Sequence, residues 1–382
     1  PNDSNLKNIL QPLINEGKLK KVMDETGSVI ENWGYFGGWQ NTIGDLKNTE
    51  GYKINVTAPT TIEVTGIPAQ FPFEIPLKVG WNIISWPSPN EQNGKDVFQT
   101  LIDAGKLKKV MDESGSVIEN WGYFGGWQNS IGNFKPGEGY KVNVTSACTL
   151  AVHESGTKSE EIIPEIIAST HFIPAYKGNG TDHMNINLVN LTGSGIMEGD
   201  EIGIFDGNLC VGTAQIGTDH MISDRISISA SCNDGIPTQP DGFSPGDLVS
   251  IRLFRNNLEY LIQMELLNNS KEIFVKGESM FARINSVLAI DLKKLTVSAT
   301  IKCYPNPFNE HITIEIPSSG IFKLDVRIFD LNGRIIRHLY LGNGLKGKIL
   351  TWDGKNDQGI KVTSGIYYLK ANEKVEKIIL GY

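Results

Sequence analysis

The chain has 382 residues, enough for roughly two to four domains, and 35 Lys and Arg against 43 Asp and Glu give a net charge of −8. That acid excess speaks against a nucleic-acid partner, and the short basic runs Lys18–Lys21 and Lys106–Lys109 read as solvated faces. With 41 Gly, 17 Pro and 40% hydrophobic residues the composition fits ordered, turn-rich β domains, and no run of eighteen apolar residues predicts a transmembrane segment.

The first feature in chain order is a duplication. GKLKKVMDETGSVIENWGYFGGWQN at residues 17–41 recurs at residues 105–129 with a single change, Thr26 to Ser114. The second copy is preceded by LKVGWNIISWPS at residues 77–88, in which GWNIISWP reads as a buried strand. In the same register Pro89 corresponds to Pro1. The first module, residues 1–66, is therefore expected to start after its first strand, with a longer parent polypeptide supplying that strand. The second module spans residues 67–153.

Within each module the pattern predicts one short helix, with Val97, Leu101 and Ile102 at helical spacing and Gly105 ending it. A hairpin follows around Glu113-Ser114-Gly115, and GEGYKVNV and CTLAV read as late strands. The aromatic residues are the chemistry to weigh. Trp33, Tyr35, Phe36 and Trp39 recur as Trp121, Tyr123, Phe124 and Trp127. Exposed on a Gly-rich loop, Trp33, Tyr35, Trp39, Trp121, Tyr123 and Trp127 would stack on sugar rings, with avidity from the two copies. Packed inward, the same rings are the core of a small module, and this is the expectation preferred. GWN-x-I-S-x-P, Trp and P-G-x-G-Y-x-V together resemble modules of bacterial surface and S-layer-like proteins, a class that implies no fixed activity.

Residues 154–167 are polar and charged and read as a linker. Residues 168–295 carry MNINLV, DEIGIFDGNLCVGTAQI, RISISAS, DLVSIRLFR and LEYLIQMEL, strands separated by Gly, Pro, Asn and Asp clusters, and predict an antiparallel β-sandwich. The pentad GTDHM occurs twice, so Asp182, His183, Asp219 and His220 are weak candidates for a metal site if the two loops meet. Asp200, Glu201 and Asp206 are weak candidates for calcium. Ordinary turn and strand-edge roles are preferred for all of them, and no cofactor is expected. Among four cysteines, none in a CxxC or zinc-like spacing, Cys210 and Cys232 share this domain and are expected to form a disulfide; nothing assigns Cys148 or Cys303.

The last segment, residues 296–382, is strand after strand. HITIEI puts Ile312, Ile314 and Ile316 on one face, and FKLDVRIFD puts Leu324, Val326 and Ile328 inward. Asn332-Gly333 is a type I′ hairpin pair, and RIIRHLYL is the return strand. TWDGKNDQG is turn chemistry without the spacing of a calcium loop, and GIYYLKANEKVEKIIL is a final hairpin. About seven strands in this length predict an immunoglobulin-like sandwich. The fold class is thus mainly β: two small β-rich modules with one short helix each, an antiparallel sandwich and a C-terminal immunoglobulin-like sandwich.

These residues resemble the C-terminal sorting domain of type IX secretion cargo. The opening Tyr304-Pro305-Asn306-Pro307-Phe308 is followed by Asp330 with Gly333-Arg334. Next comes Trp352-Asp353-Gly354 through Gly359, with Val362, Ser364, Gly365 and Tyr367, and then the basic-apolar end from Lys377 to Leu380. The resemblance covers about a fifth of the chain. It implies export across the outer membrane of a Gram-negative bacterium through the type IX translocon and its outer-membrane shuttle, followed by secretion or surface attachment, and commonly by removal of the domain. It also implies a signal peptide upstream, which PNDSNLKNIL does not supply. Domains with GDEIGIFDG and CVG are similar to those of other exported proteins that carry such a tail.

No HExxH, GxSxG, P-loop or dinucleotide fingerprint is present. The expected function is therefore non-catalytic: a secreted or cell-surface structural or adhesive array. The alternatives are the accessory C-terminal region of a larger secreted hydrolase, and a glycan-binding protein. Further 88-residue repeats upstream would favour the first and a catalytic motif the second. The ligand, the parent length and the oligomeric state do not follow from the sequence.

Overall fold

The computed structural model describes residues 3–156, 167–235, 240–289, 301–316, 324–342, 348–371 and 374–381. The chain is mainly β, with short helices only among the described residues, and divides into two compact units, residues 1–165 and 166–382. Most of the expected linker lies outside the described residues.

In the second module, Gly80–Ser85, Gly139–Val144, Leu107–Met111, Val117–Asn120 and Trp127–Asn129 form one antiparallel sheet in that order. The antiparallel pair Phe73–Leu77 and Cys148–Val152, from opposite ends of the module, packs its Ile75, Leu77, Leu150 and Val152 on the core with Val110, Ile118 and Val142. The helical segment is two short turns, Gly94–Val97 and Gln99–Asp103, which bury Phe98 and Leu101. Phe134 joins them, stacked on Tyr140 at 3.6 Å between ring centroids and edge-on to Trp86 at 5.2 Å. Residues in this core alternate with polar ones because successive strand side chains face opposite ways.

The first module repeats this with fewer strands. Trp39–Asn41, Val29–Asn32, Leu19–Met23 and Lys53–Val56 form its sheet, so Lys53–Val56 is terminal, whereas its copy Gly139–Val144 is central. The modules touch through the outer edge of Gly80–Ser85. Glu25 pairs with Lys78 at 2.9 Å and accepts the Ile83 amide at 3.1 Å, and the Gly51 amide donates to the Ile83 carbonyl at 2.8 Å. A Cβ on Gly51 would lie 2.6 Å from the Ile84 carbonyl oxygen, so only glycine permits this approach.

The reading of Lys109 as solvated is corrected. Lys109 is buried and faces buried Glu119 at 3.6 Å, whereas the first-copy pair, Lys21 and Glu31 at 3.0 Å, is solvent-accessible.

In the second unit, residues 184–289 build one seven-stranded sheet. Its order is Leu209–Gln215, Glu201–Asp206, Ser250–Arg255, Leu258–Leu267, Ser279–Ala289, Met184–Val189 and Arg225–Ala230. Every pair is antiparallel except Met184–Val189 with Ser279–Ala289. The two end strands approach where the Ser231 amide donates to the Val211 carbonyl at 2.8 Å, and a Cβ on Gly212 would meet the Ser229 carbonyl oxygen at 2.4 Å. The enclosed core runs from Met184 to Ile284.

The expected disulfide is absent. Cys210 and Cys232 are both free and buried, in different apolar clusters: Cys210 with Phe172 and Phe205, Cys232 with the enclosed core. Side chains held in separate clusters do not present their sulfurs to one another.

The C-terminal segment is a sandwich of a three-stranded sheet and a four-stranded sheet. The first contains Lys302–Tyr304, Ile312–Ile316 and Lys348–Trp352; the second contains Ile335–Gly342, Leu324–Phe329, Gly365–Ala371 and Lys374–Leu380. Ile312, Ile314, Ile316, Leu324, Val326 and Ile328 are all buried between the sheets. The expected type I′ turn at Asn332-Gly333 is corrected, since it requires positive φ at both residues and only Gly333 of the pair has it. Instead the Asp330 carboxylate accepts the Asn332 and Arg334 amides at 2.8 and 2.9 Å. The same five-residue turn recurs at Asp24–Ser28, Asp112–Ser116 and Asn356–Ile360, each with glycine at the fourth position in positive φ.

Candidate functional site: tandem aromatic tips and a stapled C-terminal strand

Each module carries WGYFGGW at the tip of a hairpin. Asn32 faces Trp39 across the strands, and the intervening residues form a 3-10 turn, Gly34–Phe36. The tip is closed by its own backbone. The Trp33 amide donates to the Gly38 carbonyl and the Gly38 amide to the Gly34 carbonyl, both at 2.9 Å, while the Asn32 side chain accepts the Gly34 amide at 2.8 Å. Gly34, Gly37 and Gly38 all take positive φ, which a side chain would strain. The second copy repeats these bonds at Trp121, Gly122, Gly126 and Asn120.

The turn separates the aromatic residues into two groups. Trp39 and Trp127 are half-buried against the module cores, and Trp121 is buried. Trp33 is half exposed, its indole nitrogen donating to Glu31 at 3.2 Å. Tyr35 and Tyr123 stand outside, 99% and 97% exposed. Each lies edge-on to its neighbour, Phe36 at 6.1 Å and Phe124 at 5.8 Å. The sequence pattern did not separate inward from outward rings; the glycine spacing, which puts the 3-10 turn at Gly34 and Gly122, was the available signal.

The C-terminal motif residues also divide by role. Phe308, Trp352 and Tyr367 are core: Trp352 packs on Phe308 at 5.5 Å and on Tyr367 at 5.2 Å, and its indole nitrogen donates to the Lys355 carbonyl at 2.9 Å. The Tyr367 hydroxyl donates to the Thr363 carbonyl at 2.6 Å, four residues upstream, as at an immunoglobulin corner. Gly333 and Gly354 take turn conformations of positive φ, and Gly365 is extended. Asp353 pairs with Lys355 at 2.9 Å, and that contact holds its carboxyl below the usual range.

Asn306, between Pro305 and Pro307, staples the last strand. Its amide nitrogen donates to the Lys377 carbonyl and its oxygen accepts the Ile379 amide, both at 2.9 Å, while the Phe308 amide donates to the Ile379 carbonyl at 2.9 Å. Tyr304, Arg334 and Lys377 remain outside the core, Tyr304 bonding Glu315 through its hydroxyl.

The weak metal candidates are engaged separately. Asp182 faces Lys276 at 3.5 Å, and buried His183 contacts the Asn179 carbonyl at 2.7 Å. Asp219 and His220 lie in the helix Thr218–Ser223, where the Gly217 amide donates to His220 Nδ1 at 3.0 Å. Burial lowers the His220 pKa, opposed by Asp219. Asp200 is paired with Arg255 and accepts the Met197 amide. Burial works against ionised Glu201, but hydrogen bonds from Thr170, His171 and Phe172 outweigh it and hold its pKa low. Asp206 closes the strand Glu201–Asp206. Among the described residues no three His, Cys, Asp or Glu side chains converge on a metal position.

Residues 309–376 match the FlgD Ig-like domain family. The match confirms the immunoglobulin-like reading of the C-terminal segment. No curated protein matches the chain. Among the solved structures that align with it are the following. Dimeric latent PorU from Porphyromonas gingivalis is 12% identical, covering 73% of this chain and 30% of that chain, at a TM-score of 0.19. The BSP domain of a biofilm-associated protein is 13% identical, covering 47% and 24%, at 0.14. A multi-modular, glycogen-degrading pneumococcal virulence factor, SpuA, is 12% identical, covering 78% and 37%, at 0.15. The chain thus spans less than two thirds of the length of each. Among the described residues no helix is long and apolar enough to cross a membrane.

Proposed function

We propose that this chain is a non-catalytic secreted or surface protein, exported through the type IX system on its C-terminal immunoglobulin-like domain, whose tandem modules form an adhesive array. The observation that carries the adhesive part is the pair of near-identical tips that hold Tyr35 and Tyr123 out in solvent. Burying such rings against a partner gains apolar contact at small entropy cost, because each has two rotatable side-chain bonds and sits on a hydrogen-bonded turn. Two copies in one chain multiply the contact. The export part rests on the order of the C-terminal motifs and on the staple joining the opening motif to the last strand. A signal read as a folded domain needs its terminal strand held.

A glycan partner is the second reading, favoured by the same tips, since a tyrosine face suits a sugar ring. Binding of the chain to host or bacterial cell surfaces, compared with a Tyr35→Ala, Tyr123→Ala double variant, tests adhesion; undiminished binding overturns it. A glycan array run on the same two proteins separates a carbohydrate from a protein partner.

A further inference from the structure

We propose that the second module ties two of its strands together by an amide bond between the side chains of Lys109 and Asn143, formed by the protein itself with Glu119 as proton carrier. The strand register puts the three side chains in one row, on the face of the sheet turned away from core residues Val110, Ile118 and Val142. Asn143 lies directly opposite Lys109, and Lys109 directly opposite Glu119. Cβ atoms of residues so placed are within about 5.5 Å, so a lysine side chain can reach either neighbour. All three are buried, Asn143 at 7% exposure and Lys109 and Glu119 at 4% each. The Lys109 Nζ is 3.6 Å from a Glu119 carboxylate oxygen. Buried Met111 and Val117, themselves opposite one another, flank the row, and Lys141 on the same face is held over the Trp81 ring at 5.2 Å.

A buried ion pair is a weak stabiliser, because desolvation cancels most of the attraction. The same burial makes this row reactive. Away from water the pair sheds its charges when one proton passes from the Lys109 ammonium to the Glu119 carboxylate, leaving a neutral amine, the form of lysine that attacks a carbonyl carbon. The amine nitrogen adds to Cγ of Asn143 and a new C–N bond forms. The bond from Cγ to the original amide nitrogen breaks, the proton shed by the attacking nitrogen goes to the departing one, and ammonia leaves. The ammonia takes up the proton held by Glu119, which ends as a carboxylate. In balance, one ammonium and one primary amide become a secondary amide and an ammonium ion, with no oxidant or other reactant. The product closes residues 109–143 into a covalent loop, which restricts the unfolded chain and holds Leu107–Met111 to Gly139–Val144 when the module is pulled.

The test is the intact mass of the purified full chain, denatured and reduced, followed by peptide mapping. Expected is a mass lower than that of the sequence by one ammonia, and a branched peptide joining Lys109 to Asn143 that survives the reductant. Lys109→Arg, which keeps the positive charge and cannot form the bond, is expected to restore the full mass. Glu119→Gln, which keeps the shape and cannot carry the proton, is expected to lose the branched peptide as well. Far-ultraviolet circular dichroism serves as the folding control for both variants, and the unsubstituted chain decides the matter by itself if either fails to fold. A full mass in the unsubstituted chain overturns the proposal. So does an ammonia loss without the branched peptide, or one that persists in Lys109→Arg, since cyclisation of an asparagine on its own backbone sheds the same mass. An undiminished cross-link in Glu119→Gln overturns the role given to Glu119.

Discussion

Asn306 holds Ile379 by its side-chain oxygen and the carbonyl of Lys377 by its side-chain nitrogen, each at 2.9 Å. One carboxamide thus stands in for a strand neighbour, joining the first motif of the C-terminal domain to its last strand.

Replacing Asn306 with alanine removes both bonds and leaves the Ile379 amide without its acceptor. The expected cost is about 1–3 kcal/mol of stability in the C-terminal domain. Faster amide exchange should be confined to residues 377–381. Uniform exchange across that domain would contradict the staple.

Trp352 is buried between Phe308 and Tyr367 with its indole nitrogen bonded. Trp352→Ala should cost about 3–5 kcal/mol, enough to unfold a small sandwich. Trp352→Phe should recover part of that, because it refills most of the volume and gives up the bond to Lys355. Thermal unfolding of the three proteins checks the order.

Asp24 and Asp112 occupy the same turn in nearly identical sequence yet should titrate apart. Burial pushes Asp112 up to about 6 despite its bonds from Ser114 and Ser116. At Asp24 burial also opposes ionisation, but the bonds from Thr26 and Ser28 win and its pKa is lowered. A carboxyl raised on folding holds a proton that the unfolded chain releases. Its contribution to stability therefore falls as pH rises from the ordinary aspartate value of 3.8 to about 6. Asp24 acts in the opposite sense: its contribution is present above the ordinary range and is lost as pH falls through its lowered value. Asp112→Asn, which keeps the acceptor and removes the charge, should raise stability at pH 7, by about 3 kcal/mol, and Asp24→Asn should lower it. Carboxyl carbon shifts followed by NMR should show two separated titrations; two overlapping ones would contradict the burial difference.

Cys148, Cys210, Cys232 and Cys303 are thiols in this fold, and burial pushes Cys210 and Cys303 up to about 11. Thiol counting under denaturing conditions without reductant should give four, with Cys210 alkylated slowly in the native state. A count of two would restore the disulfide that the sequence suggested.

The strands of the C-terminal domain were legible because a period of two needs no partner information: Ile312, Ile314 and Ile316 alternate, and all three are buried. The duplication was legible as identity. What escaped depended on the third dimension. Cys210 and Cys232 lie near one another in sequence but pack in separate clusters. Lys109 belongs to a basic run, yet it is buried opposite Glu119, which only the strand register reveals. Asn332-Gly333 has the letters of a two-residue hairpin, but the Asp330 carboxylate captures the turn first. The aromatic residues of WGYFGGW fall so close together that only the 3-10 turn decides which rings face water.

The central claim is tested most directly by measuring, in a bacterium that runs type IX secretion, how much of the chain leaves the cell with and without the residues after Ser298. Loss of the shortened chain from the medium and cell surface, with accumulation behind the outer membrane, is predicted. Normal export of the shortened chain would contradict it.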